Sequence, residues 1–130
     1  IMSEKFSLEI ISPEKSILKT ESSEVVIPSY EGEIGILKDH ISLITFLRPG
    51  IIKILGDVEK KYFVEDGTVE FSNNNLLILS ATAKEISEMK KNSMNNLILE
   101  TEKKIGSDKI TDKEKYLLSY KIETLKTISQ

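Results

Sequence analysis

The sequence predicts an α+β chain that is mostly β: an antiparallel β-sandwich over residues 1–86, then an antiparallel two-helix hairpin over residues 87–130. Two observations carry this. Up to Ala81, turn residues recur about every eight to ten positions between short runs that alternate apolar and polar side chains. About nine short strands at that spacing make a sandwich or flattened barrel. Beyond Ala81 the alternation stops and helix-like spacings replace it. Charge divides the chain at the same place: residues 1–86 carry nine Lys/Arg and fourteen Asp/Glu, net −5, and residues 87–130 carry nine lysines and seven acids, net +2.

The elements follow in order. Ile1 ahead of Met2 is an unusual beginning that the sequence does not explain. Phe6, Leu8 and Ile10 alternate with Ser7, Glu9 and Ile11 in a half-buried strand. Ser12-Pro13-Glu14 turns the chain into a short strand at Ile17-Leu18-Lys19. Glu24 to Pro28 reads as another, with Pro28 at its end, where a missing N–H does least harm. Residues 31–50, EGEIGILKDHISLITFLRPG, give two strand-like pieces around an irregular loop at Lys38-Asp39-His40. Gly32 and Gly35 predict positive φ or close backbone approach, and Pro49-Gly50 has the composition of a type II turn. Strands follow at residues 51–55 and 61–64, Glu65-Asp66-Gly67 is a hairpin signal, and residues 68–71 and 76–79 close the series around Asn73-Asn74-Asn75. Residues 83–86 read as a linker.

From Ser87 the pattern predicts a helix of about eighteen residues, ~27 Å long. Its apolar face (Met89, Leu97, Ile98, Ile105) is thin, and Asn92, Ser93, Asn95 and Asn96 interrupt it with poor helix formers, so this helix should be loosely held. Gly106 supplies a C-cap. Thr111 and Glu114 form a capping box that opens the second helix, with Leu118, Ile122 and Leu125 on one stripe and Leu117, Tyr120 and Ile128 beside it. Such a hairpin folds back on itself or lies along a partner.

Composition excludes several functions. A hydrophobic content of 39% suffices for one compact core, not two. No run approaches the ~18 apolar residues needed to span a bilayer, so no direct membrane insertion is expected and membrane association must come through partners. The absence of cysteine removes disulfides, thiolate nucleophiles and Cys-ligated metals together. A net charge of −3 argues against nucleic acid as a partner. The glycines of residues 31–50 lack the Lys-Ser/Thr of a phosphate-binding loop.

His40 is the only histidine, and only Asp39 neighbours it in sequence, so a loop histidine at an interface or in solvent outweighs a catalytic base or metal ligand. Glu31 and Glu33 would share a face on a strand, as a solvated acidic tip or as paired carboxylates for acid and base work, though no second pair or substrate-shaped apolar pocket accompanies them. Lys113, Lys115, Lys121 and Lys126 form a solvated helical face, or one that steers toward an acidic partner. Exposed members of the apolar set within residues 41–55 would mark an interface. No catalytic residue, metal site or cofactor is expected.

Glu31-Gly32-Glu33-Ile34-Gly35-Ile36-Leu37, His40, Leu43 to Leu47 and Arg48-Pro49-Gly50 resemble the signature of the epsilon-subunit family of F-type ATP synthases, EGE-(I/L)-G-I-L-PGH before LLT-x-LKPG. The likeness extends over the chain, through FSLEIISPEKSIL, the Gly67 turn, LLILSATA and the helical tail. Lys38-Asp39 stands where the family carries Pro-Gly, which predicts a less rigid loop. The resemblance implies a sandwich and a non-catalytic rotor component that couples rotation to ATP synthesis. Its implied partners are the gamma subunit of the shaft and the ring of c subunits, with Glu31, Gly32, Glu33 and His40 at partner interfaces and Glu33 foremost at the ring. It further implies that the helices swing up to the alpha and beta subunits through Lys113, Lys115, Lys121 and Lys126 and restrain hydrolysis. Some relatives bind ATP through an (I/L)-D-x-x-R-A motif. The matching positions here include Ile86, Ser87, Lys90 and Lys91, which lack its carboxylate and its arginine, so a nucleotide site is not expected. With no transit peptide ahead of the domain, a bacterial source and the cytoplasmic face of the cell membrane are the simpler reading, and a plastid-encoded copy would look the same. The competing readings are a free-standing β-sandwich ligand-binding module with a helical appendage and, last, a small hydrolase using Glu31, Glu33 and His40.

Overall fold

The computed structural model describes residues 4–57 and 59–130, so Ile1 and Met2 lie outside the described residues. Ten strands precede two helices: β1 (Phe6–Ile11), β2 (Ser16–Ser22), β3 (Glu24–Ser29), β4 (Gly32–Leu37), β5 (Leu43–Leu47), β6 (Gly50–Leu55), β7 (Lys60–Val64), β8 (Gly67–Ser72), β9 (Asn75–Leu79), β10 (Lys84–Glu85), then α1 (Lys91–Ile105) and α2 (Asp112–Ser129). One layer runs β4-β3-β6-β7-β10 and the other β5-β8-β9-β1-β2. Among the described residues, the two are joined at the ladder level by the pair Ser29 and Leu47 alone.

Alternation builds the core between the layers. Phe6, Leu8 and Ile10 of β1 point inward, as do Val25 and Ile27 of β3, Ile52 and Ile54 of β6, Val69 and Phe71 of β8, and Leu76 and Ile78 of β9, all 3% exposed or less. Burial of this many large side chains, at ~25 cal/mol per Å² of apolar surface, is the main force holding the sandwich closed. A second, separate cluster sits outside the first layer. Phe63 of β7 points away from the core and is buried by Met94 and Ile98 of α1 and Leu125 of α2. The helices fold back on each other and on the sandwich.

Several local expectations change. Glu65-Asp66-Gly67 is not a hairpin: β7 pairs with β6 and β10, β8 with β5 and β9, and these residues carry the chain from one layer to the other. Gly67 is still required there, with φ +149 and space for a Cβ only 2.5 Å from the Leu79 carbonyl oxygen. Asn73-Asn74 does form a two-residue hairpin turn between β8 and β9, with φ values of 49 and 59 that fit type I′. Pro49-Gly50 is not a type II turn, because Gly50 has no positive φ. Gly50 is needed for close approach, since a Cβ would lie 2.6 Å from that of Pro28. Gly32 has φ +117, but Gly35 has neither positive φ nor a tight neighbour.

The β1–β9 pair is parallel, so the sandwich is not wholly antiparallel. Residues 83–86 are no linker: Lys84 and Glu85 pair with Phe63 and Tyr62, and Ile86 opens a 3-10 turn. That pairing delays α1, which starts at Lys91 rather than Ser87, with no side-chain cap at Lys90. Its buried face is Met94, Ile98 and Thr101; Met89, Leu97 and Ile105 are only half-buried. Gly106 caps α1 in a right-handed conformation, φ −73, so its glycine freedom goes unused. The capping box forms as expected: Thr111 Oγ1 accepts from the Glu114 N–H at 3.1 Å and Glu114 Oε1 accepts from the Thr111 N–H at 3.4 Å.

Candidate partner-binding surfaces

The two layers bury their outer faces differently. The outward Phe63 of the first layer is 2% exposed because the hairpin covers it. On the second layer, Thr45 and Leu47 of β5 point inward, which turns Ile44 and Phe46 outward, 77% and 58% exposed. Register places Phe46 opposite Thr68 and Thr68 opposite Leu79, so Leu79, 44% exposed, continues the strip across the sheet. Ile41, in the loop before β5, adds a side chain 79% exposed. Single exposed apolar residues are ordinary; an aligned set on one sheet face marks an interaction surface.

The loop before β5 is tightly organised. The His40 N–H donates to the Leu37 carbonyl at 3.0 Å, closing a turn whose third residue, Asp39, has φ 67. The Asp39 N–H donates to Asn74 Oδ1 at 2.7 Å, and Asn74 Nδ2 donates to Asp39 Oδ1 at 2.9 Å. The loop expected to be less rigid is thus tied to the β8–β9 turn. The His40 ring meets Phe71 edge-on at 6.0 Å, and its Nδ1 lies 2.7 Å from the Ile41 carbonyl oxygen, where it donates. This packing suits a structural histidine beside a surface. Among the described residues, no cluster of His, Asp and Glu suited to a metal surrounds it.

Glu31 and Glu33 lie at the other end of β4. The Ser29 hydroxyl organises the Tyr30-Glu31 turn, accepting from the Glu31 N–H at 3.2 Å and donating to the Gly32 carbonyl at 2.7 Å. Glu31 is in the turn and Glu33 in the strand. Both are exposed. Six residues of β4 separate this tip from the His40 loop by ~17 Å, so the four interface candidates form two sites, not one.

The lysines of α2 also divide. Lys121 Nζ reaches Glu65 Oε1 at 2.7 Å, with its side chain only 12% exposed. Lys126 lies 3.7 Å from Glu102 of α1, Lys113 sits 5.9 Å from the Tyr30 ring centroid, and Lys115 is exposed. Sequence reasoning missed Arg48, whose guanidinium stacks 4.0 Å over the Tyr120 ring, and Tyr116, edge-on to Tyr120 at 4.9 Å. The Tyr120 hydroxyl beside Tyr116, and then burial, push the Tyr116 phenol up. The i,i+4 spacing of the two tyrosines was the available signal.

A cleft of about 600 Å³ runs between the β1–β2 turn, β10 and the start of α1. Lys15, Lys84 and Lys90 face Glu14, Glu85 and Glu88 around it, so it presents no net charge to a ligand. Burial, then Glu85 and Glu88, push up the phenol of Tyr62 on its wall. Of the degenerate nucleotide motif only Lys90 lines this cleft. Ile86 packs beside Phe63, and Ser87 and Lys91 are exposed. Among the described residues, no helix is long and apolar enough to cross a membrane.

Comparison with known proteins matches residues 5–86 to the family model described as "ATP synthase, Delta/Epsilon chain, beta-sandwich domain". The chain is similar to the ATP synthase epsilon chain of Pelagibacter ubique, 50% identical over 98% of this chain and 100% of that one. It is also similar to the epsilon chain of Jannaschia sp., 34% identical over 80% and 81%. In fold it resembles a chain of the Euglena gracilis mitochondrial ATP synthase, OSCP/F1/c-ring in rotational state 1, with a TM-score of 0.80 at 18% identity over 97% of this chain and 82% of that one.

Proposed function

The chain belongs to the family of ATP synthase epsilon chains, and from that premise we propose that it is a non-catalytic central-stalk subunit of a proton-driven rotary ATP synthase. Residues 1–86 grip the rotor and residues 87–130 regulate it. The observation that carries this reading is the bare apolar strip of Ile41, Ile44, Phe46 and Leu79, on the one layer that the hairpin leaves uncovered. This strip, with His40 at its edge, docks on the gamma subunit. The tip of Gly32 with the exposed Glu31 and Glu33, ~17 Å away along β4, faces the polar loops of the c-subunit ring. Transmission of torque needs a stiff body held at two separated places, and the sandwich provides both. The complex sits at the cytoplasmic face of a bacterial cell membrane.

In the compact arrangement Lys121 is engaged by Glu65, so that lysine reaches an acidic surface of the alpha and beta subunits only once α2 leaves the sandwich. The hairpin then restrains ATP hydrolysis, with Lys113, Lys115 and Lys126 joining the contact. Ser87, Lys90 and Lys91 leave the tail without the carboxylate and guanidinium that a nucleotide would need.

The test is co-elution of the full chain with the gamma subunit of the same source on a sizing column. The unaltered chain should co-elute, and Ile44→Glu with Phe46→Glu should elute alone, because two carboxylates cannot be buried unpaired at the interface. Undiminished co-elution of the double variant removes the strip from the interface.

A further inference from the structure

We propose that Asp39 and Asn74 form a strut that fixes the loop of residues 38–42 in its docking-competent shape, making Asn74 a positioning residue for the shaft contact. Asp39 occupies the third place of a closed turn with φ 67, where L side chains other than Asn, Asp and His rarely sit. It is exposed, so no packing forces that conformation on it. Besides the turn bond from the His40 N–H to the Leu37 carbonyl, a reciprocal pair of hydrogen bonds to Asn74, 2.7 and 2.9 Å, holds it and joins positions 35 residues apart.

Asn74 is a sound anchor. It is half-buried, it sits in a two-residue turn with its own φ at 59, and its carbonyl accepts from the Ser7 N–H at 3.0 Å. Its backbone is thus pinned to the sandwich while its amide reaches out to the loop. The consequence lies one and two residues further on: His40 is set edge-on to Phe71, and Ile41 stands clear of the surface, 79% exposed. A loop free to relax its positive φ would disperse both side chains before docking, and ordering them again would cost affinity.

The strut rests on the proposed gamma-docking surface, and the experiment separates the two. Four full-length chains are compared: unaltered, Asn74→Asp, the exchange Asp39→Asn with Asn74→Asp, and Ile44→Glu. Asn74→Asp tolerates positive φ and keeps an oxygen acceptor for the Asp39 N–H, but it loses the donor to Asp39 Oδ1 and sets two carboxylates against each other, and that repulsion opens the turn. The exchange restores one amide and one carboxylate at the same net charge. Amide hydrogen exchange at residue 39 should quicken at least tenfold in Asn74→Asp and return to within about twofold in the exchange, and the Kd for gamma should weaken about tenfold and recover in step.

Unchanged amide exchange in Asn74→Asp overturns the strut. Loosened exchange with unchanged Kd overturns its positioning role, and Ile44→Glu then shows whether the surface itself is correct. Failure of the exchanged pair to recover either readout overturns the pairing as the cause. Loss of no affinity in any variant, Ile44→Glu included, refutes the docking surface and with it the role of the strut.

Discussion

Leu125→Ala tests whether the helical hairpin opens independently of the sandwich. Leu125 is fully buried in the cluster of Phe63, Met94 and Ile98, which is separate from the main core. The substitution removes three buried carbons, ~2.4 kcal/mol at ~0.8 kcal/mol each. The cavity left behind adds to this, giving about 3 kcal/mol, within the range of buried Leu→Ala changes. Taken from hairpin docking alone, that raises the open fraction on the order of 100-fold. Native-state hydrogen exchange on the full chain, in the amides of α1 and α2, measures it. The control is Ile52→Ala in the main core, 0% exposed in the native chain. It weakens the docked and opened states equally, so hairpin opening should be unchanged while global unfolding becomes easier. If Ile52→Ala accelerates the hairpin amides as much as Leu125→Ala does, hairpin and sandwich unfold as one unit, and the argument for a separate helical switch fails.

Other consequences are as direct. Gly50→Ala should cost about 1–3 kcal/mol, read as a lower denaturant midpoint, because a Cβ 2.6 Å from that of Pro28 forces two strand ends apart. Thr111→Ala should cost about 1 kcal/mol of hairpin stability, seen as faster exchange at Glu114 than in the rest of α2. Hydrogen bonding to Lys5, then its charge, hold the Asp57 carboxyl below the usual carboxylate range. Its stabilising share is therefore complete above that range and lost as pH falls through the lowered value. The same bond, then the Asp57 charge, raise the Lys5 ammonium, whose share is lost only as strongly alkaline pH passes its raised value. An NMR titration of Asp57 should show the low midpoint, and Lys5→Met should return it to the ordinary one.

The strands were legible because alternation is a property of adjacent residues. Phe6, Leu8 and Ile10 announce their shared face without knowledge of any partner, and Thr111 with Glu114 announces a helix start within four positions. The errors fall where a short motif admits two long-range settings. Gly67 is legible as a turn glycine, but only the pairing of β7 with β6 and of β8 with β9 shows that the chain changes layers there. Residues 83–86 carry no alternation to read, yet Lys84 and Glu85 find the free edge of β7 and become a strand.

The candidate site shows the same division. The lack of cysteine chemistry, the β-rich portion ahead of a helical one and the residues of the family signature are all legible in the linear order of amino acids. Those depend on residue identity and near neighbours alone. The folded chain, by contrast, is needed to see that Phe63 is covered while Ile44 and Phe46 are bare, since all three are apolar residues facing out of a sheet and nothing local distinguishes them. It also placed the Glu31 tip and His40 at opposite ends of β4, bound Lys121 to Glu65 across the fold, and joined Asp39 to Asn74. Each of these depends on which distant segments the closing of the core brings together, and no pattern within a few residues encodes that.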